Sequence, residues 1–354
     1  MKIGILTFPG STSYGASLQM FALYTSLKKM GFDVEVINYM NDFMKHRRHV
    51  KKTRTNLHEL INNIRLLPKV LEFRRFEKNI VKYPSKQIGS TDEITHVAGR
   101  YDFVICGSDQ VWNPLVTGRD YNYFLNFITD SSKKVAYAPS FGLTKLPEDV
   151  VEKTRDALSS FKKISVREQS GKEILKSLLG RECPIVCDPT FLLSKEEWKR
   201  LESPIQVPDK YVFYFMLNND PIAREFAEEY SEKYNMPIIC VIGTVNKNKY
   251  TKRDYRYIDP SKWLYAIDHA TCVITDSFHG TAFSIIFDKE SYISLASSTN
   301  SRICNLLSTF NLQQRALNSS SLDTVNNQVD SDFMDKTRNQ LRSEGLSFLQ
   351  NSLQ

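Results

Sequence analysis

The chain reads as an α/β protein built from two doubly wound, Rossmann-like domains. Three observations predict this. Short apolar, β-branched runs alternate with helical patterns, the alternation starts afresh after about residue 190, and no internal repeat or low-complexity tract interrupts it. At 354 residues, with 41% hydrophobic and 25% charged residues, the chain can bury a core in each of two domains.

The first strand is Ile3 to Leu6, closed by Pro9-Gly10. A helix follows over Tyr14 to Met30, with Leu18, Phe21, Ala22, Thr25 and Leu27 near helical spacing and Gly31 to stop it. Further strands are predicted at Asp33 to Ile37, Asp102 to Cys106, Lys134 to Ala138, Ile164 to Val166 and Ile185 to Cys187. The second set comprises strands at Tyr211 to Met216, Pro237 to Ile242, Cys272 to Thr275 and Tyr292 to Leu295. Helices near Ala223 to Tyr234, Ser261 to His269 and Gly280 to Phe287 separate them. From about Asp330 a closing helix is expected. The domains then run 1–190, with a basic amphipathic insertion at about 43–82, and 191–315, with a tail and closing helix at 316–354. Ligands of such sheets bind beyond the carboxyl ends of the strands, and two domains facing each other would make a cleft.

Net charge is +7, concentrated in KHRRHVKKTR (Lys45 to Arg54) and in Arg65, Lys69, Arg74, Arg75 and Lys78. No zinc-finger or RNP-type pattern accompanies it, so nucleic acid is not the expected partner. Leu57, Leu60, Ile61, Ile64, Leu67 and Leu71 approximate one helical face, interrupted by Pro68. That face either packs on the first domain or rests on an anionic membrane surface. The N-terminal apolar run is too short for a signal peptide and no stretch is long enough to span a bilayer, which predicts a cytoplasmic protein. Of the six cysteines only Cys183 and Cys187 are close, with no second pair, so buried free thiols are expected and no metal.

Two stretches carry chemistry. In TDSFHG (Thr275 to Gly280) an apolar run meets a histidine and a glycine before a second apolar run, which reads as a strand turning into a helix. The first helical turn can hold an anion there, with Asp276 or Ser277 as cap. In YDFVICGSDQVWNP (Tyr101 to Pro114) a strand ends in polar residues beside an aromatic ring. Together with YGASLQ (Tyr14 to Gln19), AYAPSFG (Ala136 to Gly142), SVRE (Ser165 to Glu168), CDPTFLL (Cys187 to Leu193) and TDSFHGTAFSIIF (Thr275 to Phe287), this sequence resembles the polysaccharide pyruvyl transferase family. The motifs stand in family order and span residues 1 to about 310.

The resemblance implies a glycosyltransferase-B-like fold and transfer of pyruvate from phosphoenolpyruvate to two hydroxyls of a sugar, in capsule or exopolysaccharide synthesis. It implies phosphoenolpyruvate as donor substrate, no cofactor and no obligatory metal, and an acceptor sugar chain carried on a polyprenyl pyrophosphate at the inner membrane face. Arg167 is the candidate ligand for the donor's carboxylate or phosphate. His279 is the candidate general acid or phosphate ligand, with Ser277 and the N–H groups of Gly280 and Thr281 beside it. Asp109 is the candidate base, its alternative role being to cap the turn. Ser108, Gln110, Trp112, Asn113 and Gln19 are candidates for the acceptor sugar, with Trp112 equally suited to the core. Many family members carry an arginine two residues before this histidine, where this chain has Ser277. Arg302 is the expected substitute, while Lys249, Lys252, Arg253 and Arg256 read as a solvated basic loop. A sugar-nucleotide glycosyltransferase on the same fold is the rival enzyme, and a non-catalytic scaffold subunit the third reading.

Overall fold

The structure is a computed structural model that describes residues 1–48, 57–242, 255, 257–295, 301–317 and 329–354. It divides into two compact units, Met1–Leu193 with Leu341–Gln354, and Ser194–Gln340. The segment expected as a separate tail therefore belongs partly to each.

In the first unit the elements run β1 (Lys2–Leu6), α1 (Tyr14–Lys29), β2 (Asp33–Val36), α2 (Asp42–Arg48), α3 (Leu57–Ile80), α4 (Thr91–Ala98), β3 (Phe103–Cys106), α5 (Pro114–Thr117), β4 (Lys134–Ala136), α6 (Val151–Ser159), β5 (Lys163–Ile164) and α7 (Gln169–Leu179). The strands form one parallel sheet in the order β2-β1-β3-β4-β5. Register places Ile5 beside Val36 and Ile105, a run of branched side chains buried on both faces as a parallel sheet requires. Ser13 caps α1, and Gly31, at φ +89°, ends it as its position predicts.

The second unit holds α8 (Lys195–Lys199), β6 (Val212–Phe215), α9 (Pro221–Tyr234), β7 (Ile238–Ile242), α10 (Pro260–Asp268), β8 (Cys272–Thr275), α11 (Phe278–Ile286), β9 (Glu290–Ser294), α12 (Ser301–Thr309) and β10 (Ala316–Leu317). Helix α13 (Ser331–Ser352) begins in this unit and ends in the first. Its sheet is also parallel, in the order β10-β9-β8-β6-β7.

Each sheet winds outward in both directions from its first strand. The reversal lies between β1 and β3 in one unit and between β6 and β8 in the other, and the crevice at such a switch point is where α/β sheets take ligands. The loops that leave these strands are the ones carrying the two singled-out motifs.

Three expectations change. Ile185 to Cys187 is not a strand, because only Ile185 bridges to Val166. Strand β10 carries no apolar run and escaped the pattern. Of the two alternatives for the apolar face of α3, packing on the first domain does not hold at its described end: Leu67 and Leu71 are each 52% exposed, while Phe73, Phe76 and Glu77 are buried. Much of the basic stretch, including Lys51 and Lys52, and the loop with Lys249, Lys252, Arg253 and Arg256 lie outside the described residues. No described helix is long and apolar enough to cross a membrane. The six cysteines are in no disulfide, with Cys304 exposed and Cys240 half-buried.

Candidate active site

At the first switch point, β3 leads into Gly107-Ser108-Asp109. Asp109 adopts φ +79°, a left-handed conformation that costs a side-chain-bearing residue about 1–3 kcal/mol. The surroundings impose it. The Asp109 carbonyl accepts from Ser140 N at 2.8 Å, and its Oδ1 accepts from Gln110 N at 2.8 Å. The carboxylate is half-buried and belongs to a cluster around Arg167.

Arg167 follows β5 and its side chain is 2% exposed. Its Nη1 donates to Asp188 Oδ2 at 2.6 Å, and Nε stands 3.5 Å from Glu168 Oε2. Burial works against its charge, but Asp188, Glu168 and Asp109 outweigh burial and raise its pKa above the ordinary value. Asp188 in turn accepts from Ser108 Oγ at 3.2 Å, from Thr190 N at 3.0 Å and from Thr190 Oγ1 at 2.9 Å. Ser140 Oγ donates to Glu168 Oε1 at 2.6 Å. One cation among three carboxylates leaves the cluster net negative, so it does not by itself attract a further anion. Of its two closest acids, Glu168, at 3.5 Å, is held less closely than Asp188, at 2.6 Å.

Asp188, Glu168 and Ser140 were missed as functional residues, although all three sit in quoted motifs. Their meaning depends on loops brought together across the sheet, and the isolated bridge between Asp109 and Pro139 is one such junction.

The acceptor candidates separate. Gln110 is half-buried at the edge and accepts through Oε1 from Asn113 Nδ2 at 2.7 Å. Asn113 caps α5, accepting from Leu115 N at 3.0 Å. Gly142, at φ +61°, leaves room for this pair, since a Cβ there would fall 2.2 Å from Gln110 Oε1. Ser108 is fully buried, donating to Ala138 O as well as to Asp188. Gln19 is also fully buried, and its Nε2 donates to Thr7 Oγ1 and Ala16 O. These two tie β1, α1 and β3 together and present nothing to a sugar. Trp112 is corrected to the core: it is 1% exposed, stacked on Phe124 at 5.4 Å and tilted against Phe141, with Nε1 donating to Tyr123 O.

At the second switch point the strand-to-helix turn forms as the sequence predicts. Ser277 is the N-cap, accepting from Gly280 N at 3.3 Å, and Thr281 N donates to Ser277 O at 2.9 Å. The two N–H groups expected to hold an anion are therefore engaged by the cap. Asp276 does not cap. Its carboxylate accepts from Leu217 N at 2.6 Å and Asn218 N at 2.8 Å, fastening the loop after β6 to the loop after β8. Gly280 is required by close approach, because a Cβ would lie 2.4 Å from Thr275 Oγ1. His279 is 9% exposed and meets Phe278 edge to face at 5.2 Å. The guanidinium of Arg302, in the first turn of α12, stands over the Phe278 ring at 5.9 Å. Folding thus brings a cation from another helix beside TDSFHG, where the motif itself has only Ser277.

Among the described residues one group has metal-ligand character, Glu202, Asp268 and His269. It lies before β8, at the amino edge of the sheet, and Lys199 already pairs with Asp268 at 3.0 Å.

The sequence matches the polysaccharide pyruvyl transferase family over residues 14–298. Comparison with curated proteins gave no match. Among solved structures, the UDP-GlcNAc 2-epimerase of Methanocaldococcus jannaschii is 14% identical over 97% of this chain and 93% of its own, with a TM-score of 0.55. That of Neisseria meningitidis, bound to UDP-GlcNAc, is 12% identical over 100% and 99%, with a TM-score of 0.51. At such identity these likenesses show the fold, α/β with two Rossmann-like domains of the glycosyltransferase-B kind.

Proposed function

The chain belongs to the polysaccharide pyruvyl transferase family, and on that premise we propose that it moves pyruvate from phosphoenolpyruvate onto two hydroxyls of a sugar, closing a cyclic ketal in capsule or exopolysaccharide synthesis. The observation that carries the reading is the second switch point, where His279 sits at a capped turn and Arg302 supplies a positive charge beside it.

A proton adds to the methylene carbon of phosphoenolpyruvate, its π bond breaks, and the adjacent carbon becomes electrophilic. One sugar hydroxyl attacks that carbon and gives up its proton. The carbon–oxygen bond to phosphate then breaks, and the second hydroxyl attacks the same carbon. Two hydroxyl protons are released, one replaces the proton taken up by the methyl group, and the other leaves with phosphate. Asp109 is assigned as base, in the carboxylate-rich first site. His279 is assigned as acid or phosphate ligand, with Arg302 as counter-charge, and Arg167 is assigned the donor's carboxylate. Gln110 and Asn113 are the acceptor contacts.

We assign the acceptor as a lipid-linked oligosaccharide. The outward leucines of α3, Leu67 and Leu71, support contact with a membrane surface. Binding to anionic vesicles should weaken when Arg47, Arg48, Lys51 and Lys52 are neutralised, and unchanged binding would end the membrane contact.

The decisive test is phosphate release from phosphoenolpyruvate with a panel of lipid-linked acceptors and mass spectrometry of the products. Acceptor-dependent phosphate with a pyruvyl mass gain is expected, reduced about 10²–10⁴-fold in His279→Ala. Calorimetric binding of a sugar nucleotide but not of phosphoenolpyruvate would replace this reading with a glycosyltransferase.

A further inference from the structure

The inner face of α3 carries a charge where packing would favour an apolar group. Lys69, Phe73, Phe76 and Glu77 fall on one helical stripe. Phe73, Phe76 and Glu77 are buried and Lys69 is half-buried, while Leu67 and Leu71 point to solvent. A helix oriented only for stability would expose the lysine and bury the leucines.

Lys69 Nζ stands 5.0 Å from the ring centroid of Tyr14 and 5.4 Å from that of Phe73, and the two rings are 4.9 Å apart. Among the described residues no carboxylate pairs with it. Burial alone pushes its pKa down to about 8, with no opposing charge. The ring faces compensate part of the lost hydration, and among the described residues no acceptor takes its three N–H donors.

Its position is as informative as its charge. Tyr14 opens α1 directly after the β1 loop. Glu77, about 12 Å further along α3, accepts from Gly10 N, Ser17 Oγ and Tyr83 Oη, each at 2.8 Å. Those bonds fasten α3 along the β1–α1 loop and commit the Glu77 carboxylate there. The lysine is thereby held against the ring of Tyr14, the first residue of the helix that follows β1.

We propose that Lys69 is the binding residue for a phosphate group carried by the sugar acceptor. This rests on the ketal-forming reading, which places the acceptor contacts Gln110 and Asn113 in the first unit and gives the donor's phosphate to His279 and Arg302. A compact ammonium with three open donors suits a phosphate as a point charge.

The test is calorimetry on the full chain with galactose 1-phosphate, inorganic phosphate and phosphoenolpyruvate, for wild type, Lys69→Met and Lys69→Arg. Galactose 1-phosphate should bind wild type, bind Lys69→Met about ten- to a hundredfold more weakly, and recover in Lys69→Arg. Phosphoenolpyruvate affinity should be the same in all three. Lys69→Met should melt no lower than wild type, because it removes a partly buried charge without a counter-ion. Absent binding to wild type, equal affinity in Lys69→Met, a parallel loss of phosphoenolpyruvate binding, or a lowered melting temperature would each overturn the assignment. Inorganic phosphate binding as tightly as the sugar phosphate would overturn the acceptor as its source. If wild type binds the sugar phosphate but not phosphoenolpyruvate, the donor reading fails while the anion site at Lys69 stands.

Discussion

The two switch points share a topology and differ in their electrostatics. At the first, Arg167 is enclosed by Asp188, Glu168 and Asp109, and the loop is held in a left-handed conformation at Asp109. At the second, a capped helix presents His279, and the cation Arg302 comes from a different helix. A parallel sheet with a reversal supplies the place for chemistry, and the loop residues decide what chemistry it suits. The first edge is net negative around its one buried cation, whereas at the second Arg302 brings a cation over the ring next to the histidine.

Breaking the first edge should produce the largest effect. Arg167→Met leaves three neighbouring carboxylates without their cation, and chemical denaturation should show a loss of about 3–5 kcal/mol. Unchanged stability would mean that the cluster is hydrated and that its acids are not held by Arg167. The second edge should respond to packing. Gly280→Ala puts a methyl against Thr275 and should cost about 1–3 kcal/mol in the same measurement. Removing its cap with Ser277→Ala should cost about 1 kcal/mol, and phosphoenolpyruvate affinity should change little if Arg302 provides the charge. The smallest effect lies away from both edges. Burial acts to raise the pKa of Glu35, but hydrogen bonds from Lys82, Lys2 and Tyr101 outweigh it and hold the pKa below the ordinary 4.5. Its contribution is present above pH 4.5 and is lost as pH falls through the lowered value. A stability–pH curve should therefore steepen on the acid side and flatten there in Glu35→Gln.

Much of the architecture was legible in the pattern of apolar runs. β1, β3, β6 and β8 appear as buried runs closed by polar residues, and the carboxyl ends of β3 and β8 carry the two motifs. The strand-to-helix turn at TDSFHG was readable because cap, glycine and apolar run are adjacent in the chain. The acidic cluster was not, because Asp109, Arg167 and Asp188 come from three loops and only the sheet order makes them neighbours. Trp112 shows the same limit. A tryptophan beside polar residues suits either a sugar platform or a core, and the rings of Phe124 and Phe141 that enclose it are distant in sequence.

Helix α3 marks the boundary between the two kinds of information. Local sequence determined that Leu57 to Leu71 approximate one apolar helical face with cations on the other side, through spacing. Which side faces inward was decided by tertiary contacts: the Glu77 bonds to Gly10, Ser17 and Tyr83, and the rings of Tyr14 and Phe73 around Lys69. Periodicity specifies that a helix has faces. Only buried hydrogen bonds from distant residues, too costly to leave unmade, specify how it is turned.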